Sequence, residues 1–156
     1  MTRQPDLRPA YVDLCRSMDL QYFVTLVTNR DGTMDGIRRR ARDYCARMDR
    51  KLLGHLWHKR PATERTDGVF FIEHVASNIH LHGLLRFPSG NEEELRMTSE
   101  VVWKKICPSG SVRLTDTGTL PDAVRYCTKE FLFPDYSDAQ IVFLRELMSE
   151  AAHQTI

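Results

Sequence analysis

Glu73-His74-Val75-Ala76-Ser77-Asn78-Ile79-His80-Leu81-His82-Gly83 is the stretch on which the reading of this chain turns. Side chains alternate along a strand, so His80 and His82, two apart in an apolar run, share one face and can grip one metal ion together. The flanking runs, Val69 to Val75 and Ile79 to Phe87, read as two strands of a hairpin, with turn-forming Ser77-Asn78 between them. A two-residue turn pairs Val75 with His80 and Glu73 with His82, and Glu73 then joins the histidines. A three-residue loop, Ala76 to Asn78, sets His74 opposite His80 and turns Glu73 to the other face. Turn length thus decides between Glu73 and His74 as the third ligand. Two imidazoles and one carboxylate with open positions form a catalytic kind of site, suited to zinc, iron or manganese.

Working outward, Tyr22 to Thr28 is β-branched and aromatic and ends in the turn formers Asn29-Arg30-Asp31-Gly32, which predicts a strand. From Met34 to about Trp57, Ile37, Ala41, Tyr44, Met48, Leu52 and Leu56 recur at helical spacing. Arg38, Arg39, Arg40, Arg42, Arg47, Arg50 and Lys51 occupy the remaining faces of that helix. His58 to Gly68 reads as a loop. Helices are predicted over Glu92 to Ile106, from Thr119 to about Phe131 with a stop before Pro134, and over Asp138 to Ala152; Ser111 to Thr115 is a short strand. Trp57 and Trp103 read as core anchors. The order strand, helix, hairpin, helix, strand, helix predicts an α+β fold, a mainly antiparallel sheet with helices packed on it, over residues 21–134. Residues 1–20 form an arm with a short helix from about Tyr11 to Met18, and residues 135–156 add a C-terminal amphipathic helix to the same domain.

A chain of 156 residues with 42% hydrophobic and 28% charged residues fits one folded domain. Its start carries Arg3, Asp6 and Arg8 with no apolar core behind them, and no run reaches the length of a membrane span, so the expectation is a cytoplasmic protein. Cys15, Cys45, Cys107 and Cys127 lie far apart and read as reduced, buried thiols. The net charge of +1 conceals a division: residues 1–66 hold 14 Lys and Arg against 8 Asp and Glu, or +6, and residues 67–156 hold 8 against 13, or −5. The basic half can face a polyanion.

Chemistry for the metal to serve is found at Tyr126-Cys127-Thr128-Lys129. Val124, Cys127 and Phe131 form the packing stripe of the predicted helix, which leaves Tyr126 and Lys129, i and i+3, on the opposite side. A phenol is a weak nucleophile at neutral pH unless a cation assists it, and Lys129 is placed to do so.

With a strand at Phe23-Val24-Thr25-Leu26-Val27-Thr28, His80-Leu81-His82 with Glu73 upstream, and Tyr126-Cys127-Thr128-Lys129, the chain resembles the HUH endonucleases over about residues 20–133. Within that superfamily it looks most like a rolling-circle replication-initiator (Rep) nuclease domain with a single catalytic tyrosine, of βαββαβ, RRM-like topology. The resemblance implies that Glu73, His80 and His82 hold Mg²⁺ or Mn²⁺ against a scissile phosphate of single-stranded DNA or an origin hairpin. Tyr126 then attacks to give a 5′-phosphotyrosine intermediate, with Lys129 assisting, in sequence-specific nicking and joining that starts replication of a plasmid or phage. Tyr136 lies past Pro134, so a second tyrosine on the helix is not expected. The chain carries no G-x-x-x-x-G-K phosphate loop, which makes a host helicase the expected partner. A monomer or weak oligomer is expected, with Thr25, Asn29, Arg38, Arg39 and Arg42 as DNA-binding residues and Phe23 beside them. The alternatives are a single-tyrosine HUH transposase, with Glu130 as the third ligand near the tyrosine; a non-enzymatic single-strand nucleic-acid-binding domain; and a zinc or iron enzyme sharing only the ligand set.

Overall fold

Alternation along the strands dictates the layers. In the computed structural model, which describes residues 6–132 and 136–153, β1 (Tyr22–Val27), β2 (Asp67–Glu73), β3 (His80–Arg86), β4 (Ser111–Asp116) and β5 (Ile141–Phe143) form one sheet in the order β4-β1-β3-β2-β5. Every neighbouring pair is antiparallel. The helices are α1 (Arg8–Ser17), α2 (Met34–Leu53), α3 (Glu92–Ile106), α4 (Leu120–Cys127) and α5 (Leu144–His153). β1-α2-β2-β3-α3-β4 is the expected βαββαβ order, and the fold is α+β.

One face of the sheet presents Val24, Leu26, Phe70, Ile72, Leu81 and Leu85 to α2, α3 and α5. The other presents Val69, Phe71 and Leu84 to Cys15 of α1 and to Ala123, Val124 and Cys127 of α4. Covered on both faces, β2 is buried at all seven positions, which explains its unbroken apolar run. Among the described residues no helix is long and apolar enough to cross a membrane.

Local signals set the helix ends. Asn91 and Glu94 form a reciprocal capping box at the start of α3, and its bounds are those the sequence predicts. Thr33 caps α2 by accepting from the Gly36 amide. That helix stops at Leu53, short of Trp57, because Gly54 takes φ +89. Trp57 consequently lies half-buried in a separate 3-10 turn and is no core anchor. Trp103 is one: it is 1% exposed and its Nε1 donates to the Val27 carbonyl at 3.0 Å.

Three further expectations are corrected. α4 ends at Cys127, where Thr128 Oγ1 donates to the Val124 carbonyl at 2.8 Å and the chain tightens into a 3-10 turn over Lys129–Leu132. The predicted stop before Pro134 lies outside the described residues. The helix read from Asp138 to Ala152 begins only at Leu144, because Ile141–Phe143 pairs along Val69–Phe71 and occupies the edge of β2. Ile141, Leu144 and Leu147 fit helical spacing equally well, so periodicity could not separate the two states.

The hairpin itself is longer than either turn considered. Glu73 pairs with His80 and Phe71 with His82, leaving residues 74–79 as the connection. His74 at φ +53 and Asn78 at φ +48 bend its two ends, and the Asn78 amide donates to Asp31 Oδ1 at 3.0 Å. The expected register, Glu73 against His82, is therefore off by two positions. Because the slip is even, Glu73 remains on the histidine face.

Gly83 follows the histidines on the opposite face, where a Cβ would stand 2.7 Å from the ring of Phe70 across the pair. Gly83→Ala should therefore lower stability by about 1–3 kcal/mol through overpacking, seen as a reduced urea midpoint at unchanged m-value.

Candidate functional site

The site is built on a buried acid at the end of β2. Glu73 is fully buried, and its Oε2 meets His82 Nε2 at 2.9 Å, His80 Nε2 at 3.2 Å and Lys129 Nζ at 3.3 Å. Its Oε1 is also buried and has no hydrogen-bond partner among the described residues. Burial by itself would raise the Glu73 pKa, but hydrogen bonds from His80 and His82, with the charges of His82 and Lys129, outweigh it and hold the carboxyl down to about 2.

Each histidine is oriented from behind. His82, 2% exposed, shares a hydrogen bond between Nδ1 and Thr25 Oγ1 at 3.1 Å, and Thr25 is its cross-strand partner on β1. His80 Nδ1 lies 3.2 Å from the Asn78 carbonyl. A carbonyl only accepts, so Nδ1 carries the proton of that contact. The hydrogen bond from Nε2 to Glu73 uses the ring's other proton, and where that proton is absent a cation between Nε2 and the carboxylate can take its place. His74 stands alongside: Glu73, His74 and His80 each place a donor atom within 4.8 Å of the other two, and the His74 and His80 ring centroids are 4.7 Å apart. The longer loop thus adds His74 to Glu73 where the sequence offered a choice between them.

Tyr126 projects from α4 over this cluster and is 50% exposed. Its ring meets His82 edge-on at 5.1 Å and Phe23 at 5.7 Å, and Lys129 Nζ lies 4.0 Å from its centroid. Partial burial would lower the Lys129 pKa, but the Glu73 charge and hydrogen bonding to Tyr126 and Glu73 raise it overall. Lys129 reaches both groups from the 3-10 turn, not from the helical i+3 position expected.

The structure therefore brings together Glu73, His80, His82, Tyr126 and Lys129. It separates the residues expected to bind DNA. Thr25 is in the site, bonded to His82. Asn29, at the end of β1, donates through Nδ2 to the Ser109 carbonyl at 3.0 Å. Arg38, Arg39 and Arg42 lie on α2, which packs on the opposite face of the sheet. Glu130 is buried, and its Oε2 accepts from the His74 amide at 3.4 Å. Sequence reasoning missed Arg113 and Thr115, which with Phe23, Thr25, Val27 and Tyr126 line a cleft of about 490 Å³ across β1 and β4. Their alternation along β4, in register with β1, was the available signal.

No family model, no curated protein and no solved structure matches this chain.

The depressed Glu73 pKa has a measurable consequence. Stability from this carboxylate is fully present above its ordinary value of 4.5 and is lost as pH falls toward about 2. Between pH 5.5 and 3 in the presence of a chelator, the wild type should lose roughly 2 kcal/mol more than Glu73→Gln, as read from urea midpoints of both proteins at each pH.

Proposed function

We propose that this chain is a single-tyrosine, metal-dependent endonuclease and strand transferase that nicks and rejoins single-stranded DNA to initiate rolling-circle replication. The observation that carries the reading is the convergence of His80, His82 and Lys129 on one oxygen of a buried glutamate, with the exposed Tyr126 ring packed against His82. Neither a nucleic-acid-binding domain nor a hydrolase sharing only the ligand set accounts for Tyr126 and Lys129 at that place.

A divalent cation suits the donor set: the partnerless Glu73 Oε1 needs a positive partner, and a cation can take the place of the Nε2 proton of His80. Glu73, His80 and His82, with His74 at hand, would hold Mg²⁺ or Mn²⁺. The cation would draw charge from a non-bridging oxygen of the scissile phosphate and orient it. The phenolic oxygen of Tyr126 attacks phosphorus in line, giving up its proton to solvent. As the new phosphotyrosine bond forms, the bond to the 3′ oxygen breaks, and that oxygen takes up a proton to leave as a hydroxyl. Lys129 favours the phenolate and the charge developing on the phosphate. The adduct keeps the phosphodiester energy, so attack by a 3′-hydroxyl reverses the step and joins strands. Strand separation falls to a host helicase or to an origin already extruded as a hairpin. Glu130 is engaged by the His74 amide, so the ligand role falls to Glu73, which favours an initiator over a transposase.

Incubation with labelled single-stranded DNA that includes the native origin, with Mn²⁺, should give a covalent adduct on a denaturing gel, and Tyr126→Phe should abolish it. Absence of any adduct refutes the nuclease; an adduct that survives Tyr126→Phe refutes the assignment of the nucleophile.

Thr25 has a separate test. Thr25→Val leaves His82 Nδ1 without its partner and should weaken Mn²⁺ binding by about 10- to 100-fold in calorimetric titration, with Thr25→Ser retaining most of the affinity. Equal affinity of the valine variant would show that the hydroxyl does not orient the ring.

A further inference from the structure

On the face of the sheet away from Tyr126, a cleft of about 640 Å³ opens between α2, α3 and the turn that carries Trp57. Arg47, Arg50 and Lys51 of α2 line one side and Lys105 of α3 lies across from them, with Trp57 and Val101 as apolar lining. Among the described residues no carboxylate lines the cleft. Among the described residues, none of the four cations makes an ion pair or a side-chain hydrogen bond. Arg47 stands i−3 and i−4 to Arg50 and Lys51, a spacing at which like charges oppose the helix. Arg50 and Lys51 lie in the last turn of α2 and Lys105 in that of α3, where the helix dipole favours a cation, yet none of them is answered by a described carboxylate. Val101 is an exposed apolar side chain at 51%, and the half-buried indole of Trp57 meets the His58 ring edge-on at 5.9 Å while still lining the cleft. A further cation, Arg65, lies 6.0 Å from the Trp57 centroid.

We propose that this cleft is a second site for single-stranded DNA, with backbone phosphates held by Arg47, Arg50, Lys51 and Lys105 and a base against Trp57. Four unpaired cations beside an aromatic ring are the combination that binds single strands without reading their sequence: charge follows the phosphates and the ring accepts any base face. The volume is of the size that takes small ligands and exceeds what one counter-ion needs. The inference rests on the proposed function for the choice of DNA, and it names different residues on the opposite face. There the cleft would hold strand that is not in the active site, so that both strands of an opened origin, or a long single strand passing round the sheet edge, stay with the protein.

The test uses the full chain carrying Tyr126→Phe, without divalent metal, so it reads binding independently of cleavage. Binding of a fluorescent dT20 is measured from 50 to 300 mM KCl. Arg50→Glu with Lys105→Glu should weaken binding and reduce the slope of log K against log salt by about 1.4, two contacts at about 0.7 each for a single strand. Arg16→Glu with Arg96→Glu, an equal charge change outside the cleft, should leave the slope nearly unchanged. Of the two tryptophans, Trp103 is 1% exposed, so quenching of indole emission on adding dT20 should vanish in Trp57→Phe. Equal losses in both double variants, an unchanged slope in the cleft variant, or no binding of dT20 at all would each overturn the site. A failure to form the covalent adduct described above, with the cleft results as expected, would instead discard the nuclease and keep the cleft.

Discussion

A buried carboxylate is costly unless it is paired, and the accommodation of Glu73 governs much of this fold. Because β2 is buried at every position, the Glu73 side chain has no route to solvent. Its charge is compensated by donors from two directions: His80 and His82 from the adjacent strand, and Lys129 from the turn after α4. The second requires α4 to dock on the sheet. Val124 and Cys127 do this against Val69, Phe71 and Leu84, and the same docking sets Tyr126 over His82. Packing and chemistry thus share one set of contacts, so a substitution that loosens α4 disturbs the acid as well as the phenol.

Legibility in the sequence followed the range of the physics involved. Signals confined to a few residues were readable: Asn91 to Glu94 announces α3, the apolar runs announce the strands, and their order yields the antiparallel α+β sheet. The histidine face was readable because alternation has a period of two, so Glu73, His80 and His82 coincide even though the register was misjudged by an even step. What depends on tertiary contact was not. The six-residue connection from His74 to Ile79 is held by Asp31 from another loop, and Ile141–Phe143 becomes a strand only because β2 offers it an edge. Trp57 looked like core because its helix was read through Gly54. Thr25 looked like a DNA contact because nothing local indicates a histidine across the strand pair.

The two faces of the sheet answer to different constraints. Toward α2, α3 and α5 the side chains interlock, and even a glycine is required where Phe70 lies across Gly83. Toward α1 and α4 the covering is partial. The β2 and β3 half is sealed, while the β1 and β4 half leaves Phe23, Thr25, Arg113 and Thr115 beside Tyr126. This half-open layer leaves a cleft beside a site whose acid is fully enclosed. The division of charge along the sequence also gains a location, since the surplus of cations in residues 1–66 resides largely on α2, across the sheet from the tyrosine.

Tyr126 and Cys127 are neighbours in sequence, yet one turn of α4 sends them to opposite fates. The phenol is half-exposed, whereas the thiol is 1% exposed and burial raises its pKa well above the ordinary value. The same sealing holds for Cys15, Cys45 and Cys107. Burial thus shields the four thiols and leaves the Tyr126 phenol half-exposed. Thiol-directed electrophiles therefore meet no exposed cysteine, and a cysteine introduced on the surface would be the most accessible thiol for attaching a reporter.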